Sequence, residues 1–227
     1  IAIIPARGGS KRIPRKNIKI FCGKPIIAWP IIAAKESNIF DRVIVSTDDE
    51  EIATIAKDFG AEVPFMRPKE LSDDFTGTIP VIKHSINWFN ENISEVDNAC
   101  CIYATAPFVE KRYLLEGYEK LIKNNVLYSF SVTSFPFPIQ RAIKINKSNR
   151  VEMVYPENFH KRSQDLEETF HDAGQFYWGK SNAWLSDKVL FKKHSIPILI
   201  PRYKVQDIDN EEDWIRAEKM FELINVR

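Results

Sequence analysis

The sequence contains few cysteines and histidines. Its 227 residues include four histidines and three cysteines, Cys22, Cys100 and Cys101. Neither a Cys-x-x-Cys pair nor a Cys/His spacing typical of zinc sites is present. The odd number of cysteines argues against a disulfide framework, so we expect reduced, structural thiols in a cytoplasmic protein.

A long hydrophobic run and an excess of one charge are also missing. The most apolar early stretch, residues 25–34, is too short to span a bilayer and contains Pro30. No signal-peptide pattern is visible at the start of the sequence. The 32 basic and 31 acidic residues nearly cancel, which disfavours binding to a nucleic acid through bulk charge. We therefore expect neither a membrane nor a nucleic acid as a partner.

The glycine motifs of the commonest nucleotide-binding folds are absent as well. The chain has no G-x-x-x-x-G-K-[ST] sequence and no G-x-G-x-x-G sequence. A P-loop NTPase and a typical dinucleotide-binding Rossmann protein are therefore both disfavoured.

A short basic loop is present instead. Residues 5–17, PARGGSKRIPRKN, contain five cations and two adjacent glycines directly after the apolar run IAII. Ligands of open α/β sheets bind at the carboxyl ends of strands, and Gly8 and Gly9 would let backbone N–H groups approach a phosphate closely. Charge-assisted contacts would come from Arg7, Lys11 and Lys16. A solvated basic turn is the alternative, but two glycines at the end of a fully apolar first strand favour a phosphate site.

Apolar runs alternate with helical patterns along most of the chain. The patterns predict strands at residues 1–6, 41–48, 61–67, 98–107, 126–135, 173–179 and 196–205, and helices at 24–37, 49–60, 77–92, 110–125 and 210–225. Pro25 is expected in the first turn of the first helix, and Pro30 is expected to kink that helix or to mark a late start. This rhythm predicts an α/β fold with a doubly wound, mostly parallel sheet and helices on both faces.

The rhythm breaks between about residues 136 and 171. Residues 141–156 have the pattern of a two-stranded hairpin with NKSN at its turn, and a polar, irregular stretch follows. The whole segment is longer than an ordinary connecting loop. We therefore expect a single domain over residues 1–227 with an inserted arm at about 136–171.

Two acidic residues follow the last predicted strand. Asp207 and Asp209 are two positions apart, so in an extended backbone both carboxylates point to one side. Such a pair suits magnesium, which takes oxygen ligands and often binds through one or two acids plus substrate phosphates. Asp209 and Glu212 also fit a helix capping box, and both roles can hold at once.

Six motifs occur in a fixed order along nearly the whole chain: IPARGGSKRIPRKN, GKPIIAW, VSTDDEEIA, RPKELSDD, RSQDL and DIDNEEDW. Together they resemble the acylneuraminate cytidylyltransferase family, the synthetases of CMP-activated nine-carbon sugar acids. Within that family, YATAPF, FPFPIQRA and DAGQFYWG look most like the pseudaminic acid branch. The sialic acid branch typically has Gln-Pro-Thr-Ser-Pro with its glutamine near the cytosine, and Tyr103 stands at that place here.

The resemblance implies a nucleotide-diphospho-sugar transferase-like fold and a set of nucleotide-binding roles. Residues implied at the triphosphate of CTP are Arg7, Gly8, Gly9, Ser10, Lys11 and Lys16. Asn17, Arg67 and Thr105 would lie on the nucleotide side. Asp207 and Asp209 would hold magnesium and, with Arg7 and Lys16, would form the catalytic set.

The resemblance also implies a sugar site and a homodimer. The residues implied at the sugar acid are Gln140, Arg141, Arg162, Gln164 and Asp165 in the arm, and Gln175 and Tyr177 in the following strand. Strand alternation would then place Phe176 and Trp178 in the core. The arm builds the dimer in this family, so some arm residues would serve the partner's site.

We therefore predict a cytidylyltransferase that transfers CMP from CTP to a nine-carbon sugar acid and releases pyrophosphate. Pseudaminic acid is the expected sugar, and a CMP-sialic or CMP-legionaminic acid synthetase is the alternative. A non-catalytic nucleotide-binding protein on the same fold is a further alternative, because fold does not fix function. The acidic pair at residues 207 and 209 speaks against it.

Overall fold

The apolar segments of the chain pair into one six-stranded sheet and two short ribbons. A computed structural model describes residues 1–225. The strands are β1 (Ala2–Pro5), β2 (Ile20–Phe21), β3 (Lys24–Pro25), β4 (Val43–Ser46), β5 (Asn98–Ile102), β6 (Tyr128–Ser134), β7 (Ile143–Ile145), β8 (Val151–Met153), β9 (Phe170–Lys180) and β10 (Ser195–Leu199). The main sheet has the order β10-β6-β9-β5-β1-β4. Strand β9 runs antiparallel to β5 and β6, whereas the other pairings are parallel. The predicted α/β fold with a mostly parallel sheet is confirmed.

Helices cover both faces of this sheet. They are α1 (Ala28–Ser37), α2 (Glu50–Asp58), α3 (Thr78–Asn92), α4 (Lys111–Lys123), α5 (Ser181–Leu185) and α6 (Glu211–Asn225). One core cluster joins the sheet to α1, α2 and α4, and a second joins it to α3 and α5. The strands contribute side chains to both clusters, since successive residues of a strand point to opposite faces of the sheet.

A third apolar cluster holds α6 against the basic loop. Trp214 of α6 packs with its ring centroid 5.5 Å from that of Phe21, and Ile13 of the loop belongs to the same cluster. Ile208 is buried there too. Burial of these side chains therefore brings the basic loop, near residue 12, next to the acidic pair, near residue 208, although the two segments are far apart in the sequence.

Three local predictions are wrong, each for a reason that proline geometry explains. Pro25 lies in β3 rather than in the first turn of α1. The helix begins at Ala28, which confirms the alternative that Pro30 marks a late start, because in the first turn a missing N–H removes no helical bond. Residues 61–67 form only two isolated bridges, to Ile44 of β4 and to Thr47 just after it, rather than a strand, because Pro64 has no N–H to donate. The predicted strand at 196–205 ends at Leu199, shortly before Pro201.

Strand β9 contains a wide bulge opposite β6. Phe130 pairs with Tyr177 and Val132 with Asp172, so one residue of β6 faces four residues of β9. The Ser131 hydroxyl fills the gap by accepting the N–H groups of Gln175 and Phe176 at 3.3 and 3.2 Å. The bulge therefore brings Asp172 beside Tyr177, five residues along the chain.

The segment between β6 and β9 contains the predicted hairpin. Strands β7 and β8 pair antiparallel, with Ile145 opposite Val151. Short 3₁₀ turns connect the hairpin to the rest of the segment. Within residues 1–225, no helix is both long and apolar enough to cross a membrane.

Candidate active site

A cavity of about 250 Å³ opens at the carboxyl ends of β1 and β5. Its walls come from the basic loop, from residues 67–81 and from the segment after β5. The nucleotide-side residues predicted from the sequence that line it are Arg7, Ser10, Lys11, Lys16, Asn17, Arg67 and Thr105. Further lining side chains, which no predicted role covered, include Arg12, Thr76, Thr78 and Tyr103. All the lining cations except Arg67 belong to the loop, whereas Thr76, Thr78 and Tyr103 bring hydroxyl groups from the other two segments.

The two glycines of the loop are not among the described lining residues of this cavity. The Gly8 N–H donates to Asp48 Oδ1 at 2.9 Å. A Cβ added at Gly8 would lie 2.6 Å from Asp49 Oδ2, so only glycine lets the loop come this close to the start of α2. A Cβ added at Gly9 would meet no described atom within 4 Å. Contacts of these two glycines with phosphate remain predictions.

Arg15 fastens the loop rather than lining the cavity. It has φ 55°, and its guanidinium binds the carboxylates of Asp49 and Glu51. Hydrogen bonding to Arg15 lowers the pKa of Asp49, whose Oδ1 also accepts the N–H groups of Glu51 and Ile52. Asp49 is thus the N-cap of α2 and the anchor of the basic loop at once.

An acidic turn faces two of the cations that are predicted to bind phosphate. Arg7 Nη1 donates to Asp74 Oδ1 at 2.6 Å and to the Asp73 carbonyl at 2.9 Å, and Lys11 binds the other oxygen of Asp74. The turn is held by Asp73 Oδ1, which accepts the N–H groups of Phe75 and Thr76. The motif RPKELSDD pointed to this segment, but the contact with the loop depends on tertiary structure.

Arg67 is a buried cation in the cavity wall. Its Nε donates to Ser46 Oγ at 3.1 Å and its Nη2 to the Ser46 carbonyl, at the end of β4. Burial lowers its pKa to about 10, so the side chain still carries its charge at neutral pH. A fixed cation in this wall suits an anionic ligand.

The acidic pair adjoins the cationic end of the cavity. Lys16 Nζ donates to the Ile208 carbonyl at 2.7 Å and lies 3.9 Å from Asp209 Oδ1. Arg12 Nη1 lies 2.7 Å from Asp209 Oδ2. Burial raises the pKa of Asp207, and the nearby Asp209 carboxylate raises it further. The two carboxylates therefore lie close enough to repel, which a divalent cation would relieve.

The predicted capping box of Asp209 and Glu212 is wrong by one residue. Asp213 Oδ2 accepts the N–H groups of Asp209 and Asn210, and Asn210 Oδ1 accepts the Asp213 N–H at 3.0 Å. The box is thus Asn210 with Asp213, in which both side chains have the acceptor that the motif needs. The Asp209 carboxylate is left for the site.

The donor set of the acidic pair fits magnesium with help from a substrate. Among residues 1–225, no group of three or more His, Cys, Asp or Glu side chains could hold a metal ion. Two carboxylates alone leave an octahedral ion short of ligands, and phosphate oxygens and water are its usual completion. The cations beside the pair would bring those phosphates near.

The predicted sugar residues of the arm lie away from the cavity within one chain. Arg162 pairs with Asp165 at 2.7 Å, and Gln140 Nε2 donates to the Glu167 carbonyl at 3.0 Å. Arg141 donates to the Lys161 carbonyl, and Gln164 lines a separate cleft next to Phe137. The structure therefore brings these residues together with one another but not with the basic loop, and their sugar contacts remain predictions.

The two predicted sugar residues of β9 lie behind the cavity wall. Gln175 is 3% exposed; its Nε2 donates to the Lys204 carbonyl at 2.6 Å, and its Oε1 has no partner among the described residues. Tyr177 is 5% exposed, and its hydroxyl donates to Asp172 Oδ2 at 2.6 Å. Phe176 and Trp178 pack in the core on the α4 side, as predicted. The roles of Gln175 and Tyr177 at the sugar remain predictions.

A larger cavity of about 430 Å³ lies between α1 and α6. Its charged residues are already paired, because Glu110 binds both Lys204 and Arg112. None of the residues predicted for the site is among its described lining residues. The smaller, cation-lined cavity is therefore the candidate active site.

Comparisons of the sequence with known proteins agree on one family, and a comparison of structures agrees on the fold. A family model described as cytidylyltransferase matches residues 1–213. The chain is 46% identical to the pseudaminic acid cytidylyltransferase of Campylobacter jejuni, over 98% of this chain and 96% of that protein. It is 29% identical to the CMP-N,N'-diacetyllegionaminic acid synthase of Legionella pneumophila, over the same shares of the two chains. The solved structure of CMP:2-keto-3-deoxy-manno-octonic acid synthetase complexed with CTP superposes with a TM-score of 0.73 at 12% identity, covering 99% of this chain and 98% of that one.

Proposed function

Because the chain belongs to the cytidylyltransferase family, we propose that it transfers CMP from CTP to pseudaminic acid and releases pyrophosphate. The observation that carries the reaction is the cavity itself, with cations at one end and the acidic pair beside them. The identity of 46% to the Campylobacter jejuni protein, over nearly the full length of both chains, supports pseudaminic acid as the sugar. Tyr103 in the cavity wall, where the sialic acid branch typically has glutamine, supports the same branch.

The charge distribution of the cavity orients the nucleotide. Arg7, Lys11 and Lys16 would take the triphosphate, since charge-assisted bonds to phosphate oxygens are the strongest contacts available there. The base would then occupy the wall that contains Thr78 and Tyr103. Asp74, which binds Arg7 and Lys11 in this structure, must give way to the phosphates.

The chemistry is an in-line displacement at phosphorus. The anomeric hydroxyl oxygen of the sugar acid attacks the α-phosphorus and loses its proton, while the bond from the α-phosphorus to the bridging oxygen breaks and pyrophosphate leaves. The chain's contribution is positioning and neutralisation of charge, as in other phosphoryl transfers. Lys16 and Arg7 would stabilise the charge that builds on the leaving pyrophosphate.

Asp207 and Asp209 would hold magnesium beside the phosphates. The bound ion supplies Lewis-acid stabilisation of charge on the phosphoryl oxygens. Lys16 connects the predicted phosphate site with the acidic pair, because its amino group donates to the Ile208 carbonyl, between the two acids.

The sugar acid would bind where the arm of a partner chain meets the cavity. Since Arg141, Arg162, Gln164 and Asp165 do not reach the cavity of their own chain, we infer a homodimer in which the arm completes the partner's site. The exposed apolar side chains of the hairpin support this arrangement.

One assay tests the proposed function. Purified protein is incubated with CTP, magnesium and either pseudaminic, legionaminic or sialic acid, and pyrophosphate release gives kcat/KM for each. We expect pseudaminic acid to be preferred by about 10–200-fold, the discrimination that one altered group in a pocket supplies. A preference for either other acid would overturn the sugar assignment, and no turnover of any would leave a nucleotide-binding protein.

The same assay tests the acidic pair. Asp207→Asn should remove most of the activity, because a neutral amide is a poor magnesium ligand. Asp187→Asn, a change at an acid that pairs with Lys83 on the surface, should leave the rate unchanged and serves as the matched control. A fully active, magnesium-dependent Asp207→Asn protein would remove this acid from the mechanism.

A further inference from the structure

Gln175 of β9 joins two segments of the candidate active site. Its backbone carbonyl accepts the Tyr103 N–H at 2.9 Å, where the segment after β5 enters the cavity wall. Its side-chain Nε2 donates to the Lys204 carbonyl at 2.6 Å, shortly before Asp207 in the chain. This buried residue therefore connects the cavity wall to the segment that carries the acidic pair.

The orientation of the Gln175 amide follows from its partner. A carbonyl oxygen only accepts hydrogen bonds, so the amide group that faces the Lys204 carbonyl must be the NH₂. The reverse orientation would set two acceptors against each other at a buried position, which costs free energy. Gln175 is therefore a donor here, and its amide oxygen has no partner among the described residues.

The side chain of Lys204 gives the same segment a second anchor. Its amino group is mostly buried and binds the carboxylate of Glu110, just before α4. The other oxygen of Glu110 lies 2.7 Å from Arg112 Nε. Because the lysine end of the pair is shielded from solvent, salt screens this attraction less than it would at the surface. Lys204 is thus held through both its backbone and its side chain.

The chain is also held on the other side of Asp207. Ile208 is buried in the third apolar cluster, and its carbonyl accepts an N–H of Lys16 at 2.7 Å. Val205 has an extended backbone and packs against the cluster that joins the sheet to α1, α2 and α4. Asp207 therefore stands on a short stretch that is anchored before and after it, and the backbone sets where its carboxylate can reach.

The position of this carboxylate matters because magnesium demands near-ideal octahedral geometry. A constellation that binds a ligand must be held to within about 0.5 Å, which requires support from residues around it. Loss of the contacts at Lys204 would leave the stretch before Asp207 free to shift, although no residue that faces the ion would have changed.

We propose that Gln175 and Glu110 are positioning residues that set the Asp207 carboxylate for a divalent cation by holding Lys204. The inference rests on the proposed function, which assigns the acidic pair to magnesium, but not on the identity of the sugar acid. It gives Gln175 a role different from the sugar contact predicted from the sequence. The two roles differ in whether the cation or the sugar acid is bound less well when the amide is removed.

Binding of Mn²⁺, a probe that takes the same oxygen ligands as magnesium, tests the inference without turnover. The purified protein is titrated with Mn²⁺ in the presence of CTP and without sugar acid. Electron paramagnetic resonance measures the free ion, and CTP without protein is the blank. The variants are Gln175→Met, which keeps the length of the side chain and removes the donor, and Glu110→Gln, which removes the charge.

Two surface changes serve as matched controls. Asn124→Leu removes an amide that donates to the Lys120 carbonyl at 3.0 Å, and Glu116→Gln removes a carboxylate that pairs with the Lys120 side chain. Neither position is among the described lining residues of the candidate active site. Circular dichroism checks that each variant is folded, and calorimetry in EDTA gives the affinity for CTP without metal.

Both variants should bind Mn²⁺ about tenfold or more weakly, the usual effect of removing a residue that orients a metal ligand. Their affinity for CTP in EDTA should equal that of the wild-type protein, and both controls should bind Mn²⁺ as the wild-type protein does. In the pyrophosphate assay, saturating magnesium should restore most of kcat, which a general loss of structure would not allow.

A folded Gln175→Met or Glu110→Gln protein with wild-type affinity for Mn²⁺ would overturn the inference. A Gln175→Met protein in which only the KM for the sugar acid changes would also overturn it. The two variants act on separate contacts, so if one does not fold, the other decides. A wild-type protein that binds CTP but no Mn²⁺ would remove the acidic pair from the proposed function, and the inference would fail with it.

Discussion

Lys16 is the single residue that connects the two charged halves of the site. Its side chain is mostly buried, its amino group donates to the Ile208 carbonyl, and Asp209 lies 3.9 Å away. Burial lowers its pKa, and the Asp209 carboxylate opposes that shift. A cation held in this way can serve the phosphates and keep the acidic pair in place.

Lys16→Met should therefore raise the KM for CTP while the protein stays folded. One lost charge-assisted contact costs about 1.5–3 kcal/mol, or roughly 10–150-fold in affinity. Lys19→Met is the matched control, because Lys19 belongs to the same segment but pairs with Glu211. Steady-state kinetics at varied CTP measures the effect, and equal KM values for both variants and the wild-type protein would speak against the phosphate site.

Asp74 should behave as a competitor of the nucleotide. It holds Arg7 and Lys11 in this structure, and both cations are predicted to bind phosphate. Asp74→Asn removes the competing charge and keeps the size of the side chain, so the affinity for CTP should rise a few-fold. Titration calorimetry measures it, with Asp187→Asn as the control. Weaker CTP binding by Asp74→Asn would show that the acid supports the site instead.

At the residue scale, the sequence predicted those site residues that lie close together in one segment of the chain. The basic loop could be recognised because its cations and glycines are consecutive, and most of the residues assigned to it line the cavity. The partners of those residues could not be recognised, because they lie in segments far apart in the chain. These contacts are Gly8 with Asp48, Lys11 with Asp74 and Arg12 with Asp209. Arg15 is a cation of the same loop that binds Asp49 and Glu51, and residue type alone does not distinguish it from the cations that line the cavity.

At the scale of elements, the sequence predicted the order of most strands and helices but not all of their pairings. Periodicity identifies an apolar strand and says nothing of its direction, so the reversed strand β9 could not be foreseen. Its bulge depends on Ser131 of a neighbouring strand. The start of α6 was misjudged because Asp209 and Asn210 are both good N-cap residues, and the choice depends on which one Asp213 reaches.

The contact between α4 and β9 depends on a glycine. A Cβ added at Gly117 would lie 2.8 Å from Trp178 Cδ1 and 3.0 Å from Phe176 Cε2. Those rings are buried in the core and cannot move away freely. Glycine at this position of the helix therefore serves packing rather than helix formation.

Gly117→Ala should lower the free energy of unfolding by up to about 2 kcal/mol. Overpacking a filled core costs about 1–3 kcal/mol, and the better helix propensity of alanine returns up to about 1 kcal/mol. Urea denaturation measures the change. Gly9→Ala is the control, because a Cβ there meets no described atom within 4 Å and Gly9 lies outside the helices. A more stable Gly117→Ala protein would mean that the helix and sheet can separate slightly at little cost.

At the scale of the whole molecule, the segment between β6 and β9 stands apart from the rest of the chain. The main sheet buries its apolar residues between two layers of helices, as the sequence rhythm predicted. The hairpin does not, because Ile143, Ile145 and Val151 are 60%, 70% and 66% exposed. A two-stranded ribbon cannot bury such side chains by itself, and the sequence of one chain cannot show what covers them.

We expect a second copy of the chain to cover this ribbon and to form a dimer that is stable at micromolar concentration. Ile143 and Ile145 lie on one face of β7, and Val151 is paired with Ile145 across the ribbon. Replacing both isoleucines by glutamate would put two charges into the predicted interface, where unpaired charges are costly. Sedimentation velocity should then show a monomer, whereas Ile122→Glu, at a half-exposed position of α4, should leave the dimer intact. Because the arm is proposed to complete the partner's sugar site, the monomeric variant should show a raised KM for the sugar acid and an unchanged affinity for CTP. A wild-type protein that sediments as a monomer at micromolar concentration would contradict the dimer and, with it, this assignment of the arm.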